Sequence, residues 1–336
     1  MKTPILSFVF LLLPAMFSSA CNNSTKNVHG APSAVIWQDD STDTNNALME
    51  QTLYTPRDSA EVVEILKKDL KSPDVLTLAR HFVNRPYVAG TLEGNDPEKL
   101  VVDLRQLDCA TLVETVGALI MTKRQGGDKF SDFCRNLENI RYRDGHINGY
   151  LSRLHYFSWW KRSNTQRGIV SEVKVADKFT VPLYINIHFM SKHSEKYPYL
   201  VAHPQEIDSI AAMERSSCGR DGAYIPKRFT SLSKAQLPEI QDGDIIAIVT
   251  SKQGLDYAHL GFAVWGKDSK LHLLNASMIY KKVVEDSTRL SKQAQILYWH
   301  TGLQILVIPL RIEITRPVAY HNSKPSAMLH CEILFG

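Results

Sequence analysis

The chain has 336 residues, 44% of them hydrophobic and 22% charged, with a net charge of +4. That is an ordinary globular composition, with length for a sizeable core in one large domain or two modest ones. The mild basic excess is spread along the chain, which argues against a nucleic-acid-binding protein. It suits an anionic substrate or a negatively charged envelope surface equally well.

The first residues carry an address. Lys2 precedes an apolar run from Ile5 to Pro14, then the small-residue stretch Phe17-Ser18-Ser19-Ala20-Cys21. Residues 1–20 read as a bacterial secretory signal, too short for a membrane-spanning helix. A cysteine directly after Ser-Ser-Ala resembles a lipoprotein signal, with Cys21 as the lipidation site. Ser18 departs from the aliphatic residue usual at its place, and the alternative is plain secretion with Cys21 removed or free. Residues 21–44, rich in Ser, Asn and Thr, read as a flexible tether. The expected location is the bacterial periplasm or cell envelope, with a lipid anchor as the only attachment to the membrane.

A surface helix is expected over Asp58–Lys71, ended by Pro73, and a second over about Val75–Asn84, stopped by Arg85-Pro86. Tyr87–Glu93 reads as extended, Gly94–Pro97 as a turn and Lys99–Leu104 as a short strand. Next comes a helix from Cys109 to Ile120. Asp108 is placed to cap it, and Leu112, Val116, Leu119 and Ile120 recur at helical spacing on one inward face. Gly117 costs helix propensity and suggests a close packing neighbour. Gly126-Gly127 breaks the chain before a helix over Lys129–Glu138. Ser152–Trp160 is aromatic and basic: either a buried aromatic wedge or a stacking platform for a sugar or anion, with Arg153 beside it. The middle of the chain is poorly patterned. Gly168–Val181 suits a strand with a turn, Ser194–Pro204 a loop, Gln205–Ser216 a helix and Tyr224–Phe229 an extended link. The carboxyl third reads as three sequential antiparallel strands: Ile245–Thr250, Tyr257–Trp265 and Lys270–Ala276. Leu303–Ile314 supplies another strand or two.

Cys109 is the nucleophile candidate. At the first turn of a helix, the dipole and free N–H groups favour an anion, so a lowered thiol pKa is expected. The same N–H groups suit a developing oxyanion. His259 is the candidate base. Alternation puts it on one face with Gly261 and Ala263, whose small size leaves room for a helix terminus. Asn275, on the returning strand, falls opposite or diagonal to His259 and is the candidate orienter of its imidazole. His272 is out of phase with Asn275. Cys134, Cys218 and Cys331 lack zinc-site spacing, and the histidines lack ligand clustering, so no metal or other cofactor is expected. A disulfide among those three cysteines is left open by sequence.

In this order, Arg85–Glu93, Leu107-Asp108-Cys109, Arg141–Gly145, Ser152–Tyr156, Asp256–Gly261 and Asn275-Ala276-Ser277 resemble the NlpC/P60 papain-like cysteine peptidases. More narrowly, they resemble the domain-of-unknown-function 1460 (DUF1460) group. The resemblance implies an α+β fold with a papain-like core: N-terminal helices, among them the Cys109 helix, packed on an antiparallel sheet carrying His259. It implies one catalytic domain over 45–336, with helical insertions at about 121–235, and N-acetylmuramoyl-L-alanine amidase activity on muropeptides. Cys109, His259 and Asn275 would be catalytic, with Asn275 standing where relatives are expected to have histidine. Tyr87, Asp108, Arg153, Tyr156 and Trp160 would make up the oxyanion and substrate-binding set, Tyr87 beside the first-turn N–H groups at the oxyanion and Asp108 as the cap that precedes them. An acidic residue is expected before the tryptophan where Ser158 stands. Three rivals remain at this point. One is a γ-D-glutamyl–diamino-acid endopeptidase with the same triad; another is a non-catalytic glycan-binding envelope lipoprotein. The third is a transglutaminase-like acyl transferase.

Overall fold

The structure, a computed structural model, describes residues 41–68, 74–292 and 306–312. The expected signal peptide, Cys21, most of the tether and Cys331 lie outside the described residues. The chain divides into units at residues 1–40 and Ser41–Gly336, and all that follows concerns the second.

In its first half the order is α1 (Ser41–Glu50), β1 (Thr52–Leu53), α2 (Pro56–Lys67), α3 (Val75–Arg80), β2 (Leu100–Val101), α4 (Cys109–Arg124), α5 (Phe130–Arg141) and α6 (Phe157–Gln166). Then come β3 (Val170–Glu172), β4 (Val181–Ile185), α7 (Phe189–Lys192), α8 (Pro198–Ala202), α9 (Ile207–Ser217) and β5 (Gly219–Pro226). The meander β6 (Ile245–Val249), β7 (Tyr257–Trp265), β8 (Leu271–Ser277) and β9 (Lys282–Glu285) follows, then β10 (Leu306–Ile312). This is a mixed helix-and-sheet architecture of the α+β class.

Helix α4 departs from the expected one-sided stripe: every residue from Thr111 to Thr122 is buried. A helix apolar nearly all round lies inside the core, and here α4 packs against α2, α3 and α5 as well as against β7 and β8. Leu112, Val116, Leu119 and Ile120 have no exposed surface, and each such side chain is worth about 1.5–3 kcal/mol when fully buried. Gly117 has the close neighbour its sequence position suggests. A Cβ there would stand 2.8 Å from Ile140 Cδ1 of α5, so the glycine sets how near the two helices approach. Asp58, at the start of α2, is buried and accepts the Leu104 N–H at 3.0 Å, which fixes the strand-and-loop segment leading into α4.

The main sheet runs β4-β5-β10-β6-β7-β8-β9, with β3 also pairing β10, and every pairing is antiparallel. One difference from the sequence reading matters. The meander has a fourth strand, β9, which reaches back to the segment before α4: Asn84 N–H donates to Val283 O and Tyr87 N–H to Lys281 O. The strand expected within Leu303–Ile314, whose partners the sequence left open, is β10, and it lies between β5 and β6. The expected loop at Ser194–Pro204 contains α8, and the expected strand at Lys99–Leu104 shortens to β2, paired in parallel with β1. Residues 41–44, assigned above to the tether, begin α1. Cys109, Cys134 and Cys218 are free thiols.

Candidate active site

The site starts at the N-terminus of α4. Asp108 has extended backbone and forms a capping box with Thr111. The Thr111 N–H donates to Asp108 Oδ1 at 2.8 Å, and the Asp108 N–H donates to Thr111 Oγ1 at 2.9 Å. This reciprocal pair pins the first turn and commits the Asp108 carboxylate to the cap. Leu107 N–H donates to Pro86 O and Val88 N–H to Leu107 O, which holds Tyr87 alongside Asp108 and Cys109. Burial, then the neighbouring Cys109 and Asp108, push the Tyr87 phenol up, so it stays a hydrogen-bond donor.

The Cys109 thiol is approached by the backbone N–H groups of Leu260, Cys109 and Ala110. They do not lower its pKa as the helix position suggests. Burial pushes the thiol up to about 12, the Asp108 carboxylate adds to this, and the three N–H groups only partly offset it. Removing a thiolate from water costs more than the helix terminus returns.

His259 is half-buried on β7. Its Nε2 lies 3.0 Å from Asn275 Oδ1; an amide oxygen only accepts, so Nε2 carries the proton and Nδ1 keeps a lone pair. Burial lowers the imidazole pKa, and the Asn275 bond and Asp108 partly offset that. Burial thus favours the neutral form of both the thiol and the imidazole. Asn275 lies diagonal to His259, opposite Gly261. The role of Gly261 differs from expectation. Leu260, Phe262 and Val264 pack in the cluster around α4, while Ala263 packs in a second cluster with Ile246, Ile248 and Leu273. A Cβ on Gly261 would stand 3.0 Å from Asn275 Cβ. The glycine thus makes room for the orienting amide, and the helix body packs on the other face. His272 turns away, as its phase requires, to Asp286 O and Asp268.

Cys109 and His259 line one cavity of about 310 Å³; no direct hydrogen bond joins the two side chains among the described residues. Of the other sequence candidates, Asp108, Arg153, Tyr156 and Trp160 also line it. Arg153 is already engaged: Nη2 pairs with Glu93 Oε1 at 2.8 Å, Nε with Glu98 Oε1 at 3.2 Å, and its guanidinium lies over Tyr150. The Tyr156 hydroxyl donates to Glu214 Oε1 at 2.6 Å and accepts the Met190 N–H. Its polar end is structural, and only its ring serves the cavity. Tyr156, Trp159 and Trp160 are all buried, Phe157 stacks on Trp160 at 5.1 Å, and the Trp159 indole N–H donates to Ser217. The aromatic segment is a packed wedge whose edge forms one cavity wall.

Sequence reasoning passed over several wall residues. Arg141 Nε pairs with Glu114 Oε2 at 2.6 Å, both buried, and Arg141 Nη1 donates to Val101 O. Glu114 stands five residues after Cys109 inside an apolar run, and a carboxylate in such a place is itself a signal of a buried ionic partner. His155 and Tyr197 also face the cavity. Among the described residues no group of three or more His, Cys, Asp or Glu is arranged to hold a metal ion.

Fold and site together define an α+β protein in which a capped helix start and a sheet strand bring a cysteine and an amide-oriented imidazole to one cavity. The N-acetylmuramoyl-L-alanine amidase-like (AmiA-like) family model matches residues 77–293, and the chain belongs to that family. An N-acetylmuramoyl-L-alanine amidase from Bacteroides uniformis is 37% identical, with a TM-score of 0.65 over 72% of this chain and 98% of that one. A Bacteroides fragilis protein named for xylanase activity is also 37% identical, with a TM-score of 0.63 over 70% of this chain and 99% of its own. A Legionella pneumophila protein of the DUF1460 family shares the fold at 20% identity, with a TM-score of 0.62 over 82% and 98%. No curated protein matches the chain.

Proposed function

We propose that the protein is a cysteine-dependent amidase with a papain-like NlpC/P60 core. It cleaves the amide between the lactyl group of N-acetylmuramic acid and L-alanine in muropeptides. The observation that carries this is the hydrogen bond from His259 Nε2 to Asn275 Oδ1 on an imidazole that shares its cavity with Cys109. It leaves Nδ1 as the base.

Cys109 and His259 rest neutral, so His259 Nδ1 removes the thiol proton as sulfur attacks the lactyl carbonyl, in place of a preformed ion pair. First-turn N–H groups and the Tyr87 hydroxyl receive the developing oxyanion. The imidazolium protonates the alanine nitrogen, the C–N bond breaks, and the peptide leaves. His259 then takes a proton from water, which attacks the thioester and releases the muramic acid and the thiol. Asn275 holds the ring throughout.

A glycosidase mechanism needs two carboxyl groups free to act on the glycosidic bond. The wall carboxylates here are committed: Glu93 to Arg153, Glu114 to Arg141, Asp108 to its cap, and Asp256 to the N–H groups of Ser158 and Tyr257. The envelope location, a lipid anchor on Cys21 and the absence of nucleic-acid partners belong to the same reading. Product masses from a defined muropeptide test it: free N-acetylmuramic acid and an alanine-ended peptide are expected. A cut between D-glutamate and the diamino acid means the endopeptidase instead. Binding without turnover means a glycan-binding lipoprotein.

A further inference from the structure

A second cavity, of about 930 Å³, shares no described residue with the one around Cys109. Two chain segments form it: the turn after β5, with Lys227 and Arg228, and the stretch after β9, with Arg289 and Lys292. The other described lining residues are three serines and a threonine, and none is acidic. Both segments are rooted. Leu290, fully buried, and Phe229 pack in the cluster of Ile246, Ile248 and Leu273. The backbone that carries the cations is therefore set before any ligand arrives.

Carboxylates answer only part of this charge. Elsewhere Arg80, Arg85, Arg105 and Arg135 each pair with a carboxylate. In this cavity Arg289 Nε pairs with Asp268 Oδ2 at 2.9 Å, but Arg228 and Lys292 have no ion-pair partner among the described residues. The Arg228 guanidinium instead lies over the Phe229 ring, 4.6 Å from its centroid. Asp286, close in sequence, turns its carboxylate to the Thr288 N–H at 2.7 Å. Lys270 brings one more cation to the wall, donating to Ser231 O at 2.7 Å. Like charges gathered on one wall repel, and a bound anion relieves that repulsion.

The donor set selects the anion. A carboxylate is satisfied by a single arginine fork. A phosphate monoester carries close to two negative charges and more acceptor oxygens, and so takes cations and hydroxyls from several sides at once. No aromatic side chain lines the cavity among the described residues, so it offers no platform on which nucleobases stack. We propose that this cavity is a binding site for a phosphate monoester or diphosphate group, separate from catalysis. The same chemistry arrives either on a soluble phosphorylated molecule or on a lipid headgroup. The proposal does not rest on the amidase reading.

Two measurements on the full chain decide it: calorimetric titration with pyrophosphate, and sedimentation with vesicles of phosphatidic acid in phosphatidylcholine. Succinate is the reference for the first. Pure phosphatidylcholine vesicles are the reference for the second, since a lipid anchor enters both kinds of vesicle. At least one phosphate probe is expected to bind more tightly than its reference by about fivefold or more. The double variant Arg228→Ala, Lys292→Ala is expected to weaken that binding by about fivefold or more. Pyrophosphate binding alone assigns a soluble ligand; added binding to phosphatidic acid vesicles assigns a lipid headgroup. Thermal unfolding checks the double variant. If it does not fold, Arg228→Gln and Lys292→Gln decide singly, each expected to cost about twofold or more. The inference is overturned if neither probe exceeds its reference by that margin, or if the substitutions fall short of these losses. It is also overturned if single-stranded oligothymidylate binds through the same residues more tightly than both probes. None of these readouts involves Cys109 or turnover, so this inference and the amidase reading fail separately.

Discussion

Replacing Asn275 by alanine probes the orienting bond directly. Asn275 is 4% exposed, and its Oδ1 is the partner the structure gives His259 Nε2, at 3.0 Å. Alanine strands that N–H in a half-buried position beside the emptied amide site. An unsatisfied buried donor costs about 1–3 kcal/mol. Relief comes by rotating the ring, which moves Nδ1 from the orientation the Asn275 bond gives it. At 1.4 kcal/mol per factor of ten, kcat is expected to fall about 5- to 150-fold, with KM within about twofold. Asn275→His restores an acceptor, and Gly261 opposite gives the larger ring space, so its kcat is expected within about fivefold of the parent. Steady-state release of alanine-ended peptide from N-acetylmuramoyl-L-alanyl-D-isoglutamine measures both. Parental kcat in Asn275→Ala would refute the orienting role, as would equal losses in the alanine and histidine variants.

Three further outcomes follow from the packing and the electrostatics. Gly117→Ala gains about 0.5–1 kcal/mol of helix propensity but overpacks Ile140 at a cost of about 1–3 kcal/mol. Urea unfolding should show a net loss of about 1 kcal/mol, reversed in the double variant Gly117→Ala, Ile140→Val. Glu114→Ala leaves the Arg141 guanidinium buried and unpaired, and should destabilise by about 3–5 kcal/mol in the same assay. The Cys109 thiol, raised to about 12, is almost wholly protonated at neutrality, and only thiolate alkylates. Its iodoacetamide rate should climb about tenfold per pH unit from 7 to 9; a plateau below pH 7 would mean a preformed thiolate.

What the sequence disclosed about this site was local. Capping by Asp108 and the 3.6-residue spacing after Cys109 need no knowledge of distant neighbours, and the start of α4 falls where they place it. Period-two alternation likewise put Asn275 within reach of His259. What escaped was decided at long range. β10 enters between β5 and β6, and no pattern in Leu306–Ile312 names its partners. α7 and α8, at four and five residues, are too short to show a period. Thiol ionisation depends on desolvation by the sheet and on the Asp108 charge, and a helix-dipole argument includes neither. Arg153 looks available in the sequence because Glu93 and Glu98 lie some sixty residues upstream.

The central claim is that one sulfur and one imidazole cut the sugar–peptide amide. Mass spectrometry of N-acetylmuramoyl-L-alanyl-D-isoglutamine, incubated with the parent protein and with Cys109→Ala, tests it most directly. The account requires N-acetylmuramic acid and L-alanyl-D-isoglutamine from the parent and intact substrate from the variant. Equal cleavage by both proteins would contradict it.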